Sequence, residues 1–219
     1  MGNEENYCKP TFLNIPEEKR KKILTVAVTE FATHGFDNAN INTIAKKAGV
    51  SVGSLYKYFD TKTDLFLASV HYGIQSLEII VDSIVSSCDD IMTKLERLIR
   101  IAIEFSRTNR VLIKLYNEFT SEGNSDLAKK IAGDMESLTS AAYKKVIIDG
   151  QVAGEIRTDI DPGMAAFLVD NLLMNIQFSY ACDYYCERYK IYAGEDIFLK
   201  DEFAVENILR FIKAALKMN

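Results

Sequence analysis

The chain has 219 residues, 48% of them apolar and 26% charged, with three prolines and a net charge of −5. That balance belongs to a globular protein with a full hydrophobic core, and so few prolines favour helices throughout. No apolar run reaches the ~18 residues that span a bilayer, the mixed and polar Met1–Asn14 stretch has no signal-peptide core, and four scattered cysteines exclude a disulfide scaffold. A cytoplasmic protein with reduced thiols and no membrane partner is expected.

The charge is unevenly spread. Residues 1–62 hold nine Lys and Arg against seven acids, so the head is mildly basic at +2 and the remainder carries −7. Such a distribution suits a head that meets a polyanion and a body that does not.

In chain order, the apolar positions Ile23, Leu24, Ala27, Val28 and Phe31 recur at helical spacing. They predict a first helix over Pro16–His34, with Pro16 at its start and Gly35 just past its end. Asn40 caps a second helix through Ala48, whose inward residues are Ile41, Ile44, Ala45 and Ala48, and Gly49 ends it. Ser51 caps a third from Val52 to about Phe59. A fourth runs over Lys62–Ser87, followed by Asp90–Ser106, Arg110–Ser121, Ser125–Asp149, Pro162 to about Ile191, and Asp201–Lys217. Turn signals separate these stretches, among them Asn109, the Ser121–Ser125 segment and Gly194. The chain therefore reads as all-α with about nine helices, no internal repeat, and a domain boundary between residues 61 and 62.

Two short helices joined by Gly49-Val50-Ser51 and braced by a preceding amphipathic helix have the pattern of a helix-turn-helix, whose second helix enters the DNA major groove. The residues expected outside are Val52, Gly53, Ser54, Tyr56, Lys57 and Tyr58. Val52 can touch a thymine methyl, and Gly53, lacking a Cβ, lets the helix start come close to the DNA. Ser54, Tyr56, Lys57 and Tyr58 can reach phosphate oxygens, and Lys62 adds a cation beside them. Ser51 is the cap that fixes the helix start.

The segment Asn42–Phe66, NTIAKKAGVSVGSLYKYFDTKTDLF, closely resembles the signature of the TetR/AcrR family of bacterial transcriptional regulators. The matching residues are Ile44, Ala45, Ala48, Gly49, Val50, Ser51, Gly53, Leu55, Tyr56, Tyr58, Phe59, Lys62 and Leu65, without a gap. The resemblance implies phosphate contacts from Tyr56, Lys62 and the helix start near Thr43, with Val52, Gly53, Ser54 and Lys57 near the bases. Val52 departs from the polar or charged residue common there, leaving fewer hydrogen bonds for direct readout. Asn40 stands where threonine is frequent and caps as well.

The resemblance also implies a helical effector-binding domain over residues 62–219 that dimerises through its last two long helices. Expected interface residues are Leu168, Leu172, Leu209, Phe211, Ile212 and Leu216. A lining for a small, largely apolar ligand is expected from Phe105, Tyr116, Phe119, Tyr143, Phe167, Asn171, Met174, Asn175 and Phe178. The expected function is a homodimeric repressor released from double-stranded operator DNA by that ligand, with no cofactor. Alternatives are a nucleoid-associated protein without ligand control, or a thiol or metal sensor built on Cys182 and Cys186, one helical turn apart. A zinc site wants about four ligands, and the chain has only His34 and His71 to add, so no metal is expected. No G-x-S-x-G, P-loop, dinucleotide glycine motif or His-Glu-x-x-His occurs, so catalysis is not expected.

Overall fold

The computed structural model describes residues 7–121 and 125–217, leaving aside the side chains at 76, 118–121, 125–128, 130–135, 137 and 138. The described residues form eleven α-helices, one 3-10 turn and no strand. The helices are α1 (Pro10–Leu13), α2 (Glu17–Asn38), α3 (Ile41–Ala48), α4 (Val52–Tyr58), α5 (Lys62–Val85), α6 (Ile91–Thr108), α7 (Arg110–Ser121), α8 (Ser125–Val152), α9 (Pro162–Ala181), α10 (Asp183–Ala193) and α11 (Asp201–Leu216), with the 3-10 turn at Ile197–Leu199. Each stretch expected to be helical is helical, one of them as two helices. The expected turn at Ser121–Ser125 falls on 122–124, outside the described residues.

Two compact units result. One comprises Met1–Ser76 with Lys114–Met135, the other Leu77–Ile113 with Glu136–Asn219. The first unit is thus larger than the head expected over residues 1–61, because the apolar start of α5 completes its core: Leu65, Phe66, Leu67 and Ala68 are all buried there.

In the first unit, α2 is broken inside by Gly35, whose φ of 72° and ψ of 168° are open to glycine and not to residues with a Cβ. The chain turns there toward α3. Ile23, Leu24, Ala27 and Phe31 on one side of α2 pack with Ile44, Ala45, Leu55, Phe59 and Phe66, each buried. Burying a side chain of that size contributes roughly 1.5–3 kcal/mol. The Phe31 and Phe66 rings meet edge to face at 5.1 Å. Glu30, only 3% exposed, holds the corner between α2 and α3. Its carboxylate accepts from the Lys47 ammonium at 3.1 Å and from the Asn40 N–H at 3.5 Å.

His71, on the first half of α5, is buried against the Tyr7 ring, stacked at 5.3 Å. Its Nε2 has no hydrogen-bond partner among the described residues. Burial pushes its imidazolium pKa below the ordinary value. The unfolded chain therefore binds the proton first as pH falls, so stability is full above about pH 6.5 and declines below it, by at most about 1.4 kcal/mol per pH unit. Urea unfolding at pH 7.5 and pH 5.5 should show a loss in the wild type that His71→Phe reduces. Equal losses in both proteins would assign the acid sensitivity to other groups.

In the second unit, α6 packs against α9 and α11. Leu95, Leu98, Ile99, Val146, Ile147, Ile156, Val169 and Leu173 are its interior. Arg100 bridges α6 to α11 through two bonds to Glu202 at 2.6 and 2.8 Å while also holding Glu96. Arg107 pairs with Asp201 at 2.6 Å and lies 4.8 Å over the Tyr180 ring, whose hydroxyl donates to the same carboxylate at 2.9 Å.

One expected element is corrected. The helix expected from Pro162 to about Ile191 is two helices, because Cys182 is extended, with φ −100° and ψ 131°. Tyr180 packs against Tyr189 and Phe198 across the resulting bend. Asp183 opens α10 as an acid at a helix start, favourable to the helix dipole.

Candidate nucleic-acid interface

The turn between α3 and α4 is built from local chemistry. Asn40 Oδ1 accepts from the Asn42 N–H at 2.8 Å to start α3. Gly49 ends that helix with φ 74° and ψ 34°, the left-handed conformation glycine takes at no steric cost. Ser51 Oγ then accepts from the Ser54 N–H at 3.0 Å to start α4. Val50 and Val52 pack partly into the first unit's core and Leu55 is buried in it.

What remains outside on α4 is Gly53, Tyr56 and Lys57, all exposed, with Ser54 half-buried and hydroxyl-bonded to Ser51 at 2.8 Å. Lys46 and Lys47 lie exposed in the last turn of α3, and Thr43 is half-buried in its first. The expected set divides accordingly. Gly53, Tyr56 and Lys57 sit together on one short, open face. Val52 is half-buried, keeping one flank toward solvent. Ser51 is engaged as the cap.

Tyr58 is a correction. Its ring is buried and packs on Phe12 at 5.6 Å between centroids, so it supports the helix and does not face outward. The aromatic was misplaced because α1, which covers it, gave no periodic signal in four residues. Lys62 is also committed. Its ammonium donates to the Asp37 carbonyl at 3.0 Å and sits 5.2 Å over the Phe36 ring. An ammonium has three N–H donors, so one carbonyl leaves capacity for a phosphate.

The residues expected to line a ligand site are dispersed. Phe105, Tyr143 and Phe178 are buried in the second unit, and Met174 is half-buried. Tyr116 belongs to the first unit, and the side chain of Phe119 lies outside the described residues. Phe167 is a correction: it is 59% exposed, and one and two turns on along α9 Asn171 is half-buried and Asn175 exposed. The Asn171 amide donates to the Phe167 carbonyl at 2.7 Å and Asn175 to the Asn171 carbonyl at 2.8 Å, so both amides turn back onto their own helix. Missed by sequence reading was Asp170, whose carboxyl is pushed up to about 6, first by burial and then by the charge of Glu136. Burial likewise raises the Tyr143 phenol. An ionisable pair so perturbed inside a helical body is a candidate polar contact for a ligand.

An open cleft of about 550 Å³ in the same unit is lined by Arg107, Arg110, Tyr180, Asp183, Cys186, Glu187, Lys190 and Phe198. Cys182 is buried and Cys186 half-buried. Among the described residues no three His, Cys, Asp or Glu side chains are grouped to hold a metal. No helix among them is long and apolar enough to cross a membrane.

The expected dimer residues also divide. Leu168 and Phe211 are exposed, together with Met164 on α9 and Phe203 on α11. Leu172 and Leu209 are half-buried against the second unit's core. Ile212 and Leu216 are corrections: at 1% and 3% exposure they are interior residues of the protomer. Helical spacing alone does not say which of two apolar flanks of α11 faces its own core.

Residues 23–69 match the model of the bacterial regulatory proteins of the tetR family. The chain is 28% identical over 153 residues to the HTH-type transcriptional regulator RutR of Escherichia coli (strain K12), covering 69% of this chain and 70% of RutR. It is 22% identical over 198 residues to the probable acrEF/envCD operon repressor of the same strain, covering 87% and 85%. The crystal structure of FadR from Bacillus subtilis in complex with stearoyl-CoA superposes with a TM-score of 0.70 at 18% identity, over 86% of this chain and 97% of that one. With the helix-turn-helix motif in register on α3 and α4, residues 23–69 form the DNA-binding domain of the bacterial regulatory proteins of the tetR family, and most of the chain shares the fold of a transcriptional regulator with that domain.

Proposed function

We propose that this regulator is a homodimeric repressor whose α4 helices read two half-sites of an operator, and that a small, largely apolar ligand bound in the second unit releases it. The observation that carries the DNA part is the open face of Gly53, Tyr56 and Lys57 on a helix fixed at its start by Gly49 and Ser51. The dimer part is supported by the exposed apolar side chains of α9 and α11. The ligand part is supported by the buried aromatics Phe105, Tyr143 and Phe178 around α6, α8 and α9, with Asp170 as a polar contact. The similar FadR structure holds stearoyl-CoA, a ligand whose long acyl chain matches that apolar character.

An effector can shift the equilibrium only through different affinities for the DNA-competent and DNA-incompetent shapes, so the coupling is reciprocal. The test is fluorescence anisotropy of a labelled operator, selected from random DNA by the full-length protein, titrated with long-chain acyl-CoA thioesters, free fatty acids and small polar metabolites. The expected result is release by an acyl compound, with operator weakening binding of that compound by the same factor. Release by oxidant alone, abolished in Cys182→Ser, would replace the ligand reading with a thiol sensor. Retained affinity without sequence preference would make the chain a nucleoid protein.

A further inference from the structure

Helix α4 has seven residues, about two turns, far below the ~12–15 residues at which an isolated helix becomes even marginally stable in water. Its shape must therefore come from its neighbours. The start is held by Gly49 and Ser51, and Leu55 anchors the middle. The end is the difficulty, since the last four carbonyls of a helix have no partner within it. Leu55 O accepts from the Phe59 N–H at 2.8 Å, which leaves those of Tyr56, Lys57 and Tyr58 open.

All three are filled by the segment before α2. The Lys9 N–H donates to Tyr58 O at 2.8 Å, the Lys9 ammonium to Tyr56 O at 3.0 Å, and the Thr11 hydroxyl to Lys57 O at 2.5 Å. The same ammonium pairs with Asp60 at 2.7 Å, a cation at the negative end of the helix dipole. Phe12 is fully buried, with its ring 4.8 Å from Phe59 and 5.6 Å from Tyr58. The segment is itself fastened to α2, where Arg20 donates to the Leu13 carbonyl at 3.0 Å.

We infer that this N-terminal arm is a clamp on the recognition helix, and that Lys9 and Thr11 are positioning residues for operator discrimination that need touch no base. Tyr56 and Lys57, the two side chains on the open face, lie in the very turn whose carbonyls the arm holds. If that turn frays, their side chains lose a fixed height and angle in the groove. Sequence-specific contacts need that geometry, whereas attraction to the phosphate backbone largely does not. The arm therefore separates specific from non-specific affinity. The inference rests on α4 being the DNA-reading helix.

The experiment compares affinity for the selected operator with affinity for random DNA of equal length, using full-length Thr11→Val, Thr11→Ser, Lys9→Met and the double variant Lys9→Met/Thr11→Val. Thr11→Val keeps the side-chain shape and removes the donor, while Thr11→Ser keeps the donor. With about 1 kcal/mol per hydrogen bond, the double variant should lose roughly tenfold or more of its operator-to-random ratio, Thr11→Val a few-fold, and Thr11→Ser almost none. Urea midpoints measured beside them identify any variant whose loss is only unfolding. A wild-type ratio in the double variant would overturn the clamp. Equal losses on operator and random DNA would also overturn it, by making the arm a direct backbone contact. Lys57→Ala is the control on the underlying reading: an altered sequence preference upholds α4 as the reader, whereas an unchanged one removes α4 and the clamp together.

Discussion

Gly53→Ala should yield a more stable protein that binds its operator more weakly. Gly53 is the second residue of α4 and is absent from the glycines with positive φ, so any residue can adopt its backbone conformation. A Cβ built there would meet nothing nearer than Ser51 Oγ at 3.8 Å, an ordinary contact. Nothing within the protomer demands a glycine. Alanine removes conformational freedom from the unfolded chain and should add roughly 0.4–1 kcal/mol. On DNA the proposed role of α4 reverses the sign, because the N-terminal residues of a recognition helix are the ones that contact base edges. An added methyl there should displace the helix and cost about 1–3 kcal/mol, roughly 5- to 150-fold in operator affinity, the scale of one good base contact. Urea denaturation and operator titration on the same preparation read both signs. Stabilised protein with undiminished operator affinity would take the helix start out of the groove. Gly49→Ala supplies the contrast: at φ +74° an alanine is strained whatever the space around it, so that variant should lose stability.

These two glycines also show what the sequence makes legible. Gly49, Ser51 and Asn40 act through local chemistry, a left-handed cap and two side-chain caps, and local chemistry is written in residue type and spacing. The helix-turn-helix followed from them almost residue for residue. The inward stripe Ile23, Leu24, Ala27 and Phe31 was equally legible, since a helix declares its buried face by periodicity. What failed was always a question of which neighbour covers a face. Tyr58 looked outward until Phe12 covered it, and α1 is too short to announce itself by any period. Glu30 carries no signal of burial in the sequence, yet it is buried, because its partners Lys47 and Asn40 come from the next helix and its cap. On α9, Phe167, Asn171 and Asn175 form a regular stripe that reads as a lining. The same stripe opens to solvent at Phe167 and Asn175 with Asn171 half-buried between them, and only the packing of Val169 and Leu173 on the other side decides it. The break at Cys182 was hidden because the aromatics on both sides continue a helical pattern through it.

The same ambiguity on α11 gives the second large effect. Phe211→Glu should leave a folded protomer that no longer pairs, whereas Ile212→Glu, one residue on, should fail to fold. Phe211 is 63% exposed and Ile212 is 1% exposed, so the two substitutions place the same charge on two different faces of one helix, about 100° apart. A carboxylate at 212 would be buried without a partner, a cost of several kcal/mol that a marginally stable protein cannot absorb. At 211 the charge meets only water in the monomer, and its cost appears when a second copy approaches. Leu168→Glu on α9 should behave like Phe211→Glu. Operator binding then reports the pairing. Two heads joined as a dimer engage their half-sites with a second step that is intramolecular, and losing that linkage removes about 10²–10⁴ in apparent affinity without changing any contact between α4 and DNA. Sedimentation velocity, circular dichroism and operator titration together separate the outcomes. The expected pattern is a helical, monomeric Phe211→Glu protein that still prefers the selected half-site but binds the full operator poorly. A Phe211→Glu protein that sediments as a dimer would place the pairing surface elsewhere. Because half-site spacing must match the distance between the two heads, near 34 Å or a multiple of it, the wild-type dimer should also lose most of its affinity when roughly half a helical turn of DNA, about 5 base pairs, is inserted between half-sites, and the Phe211→Glu monomer should be indifferent to that insertion.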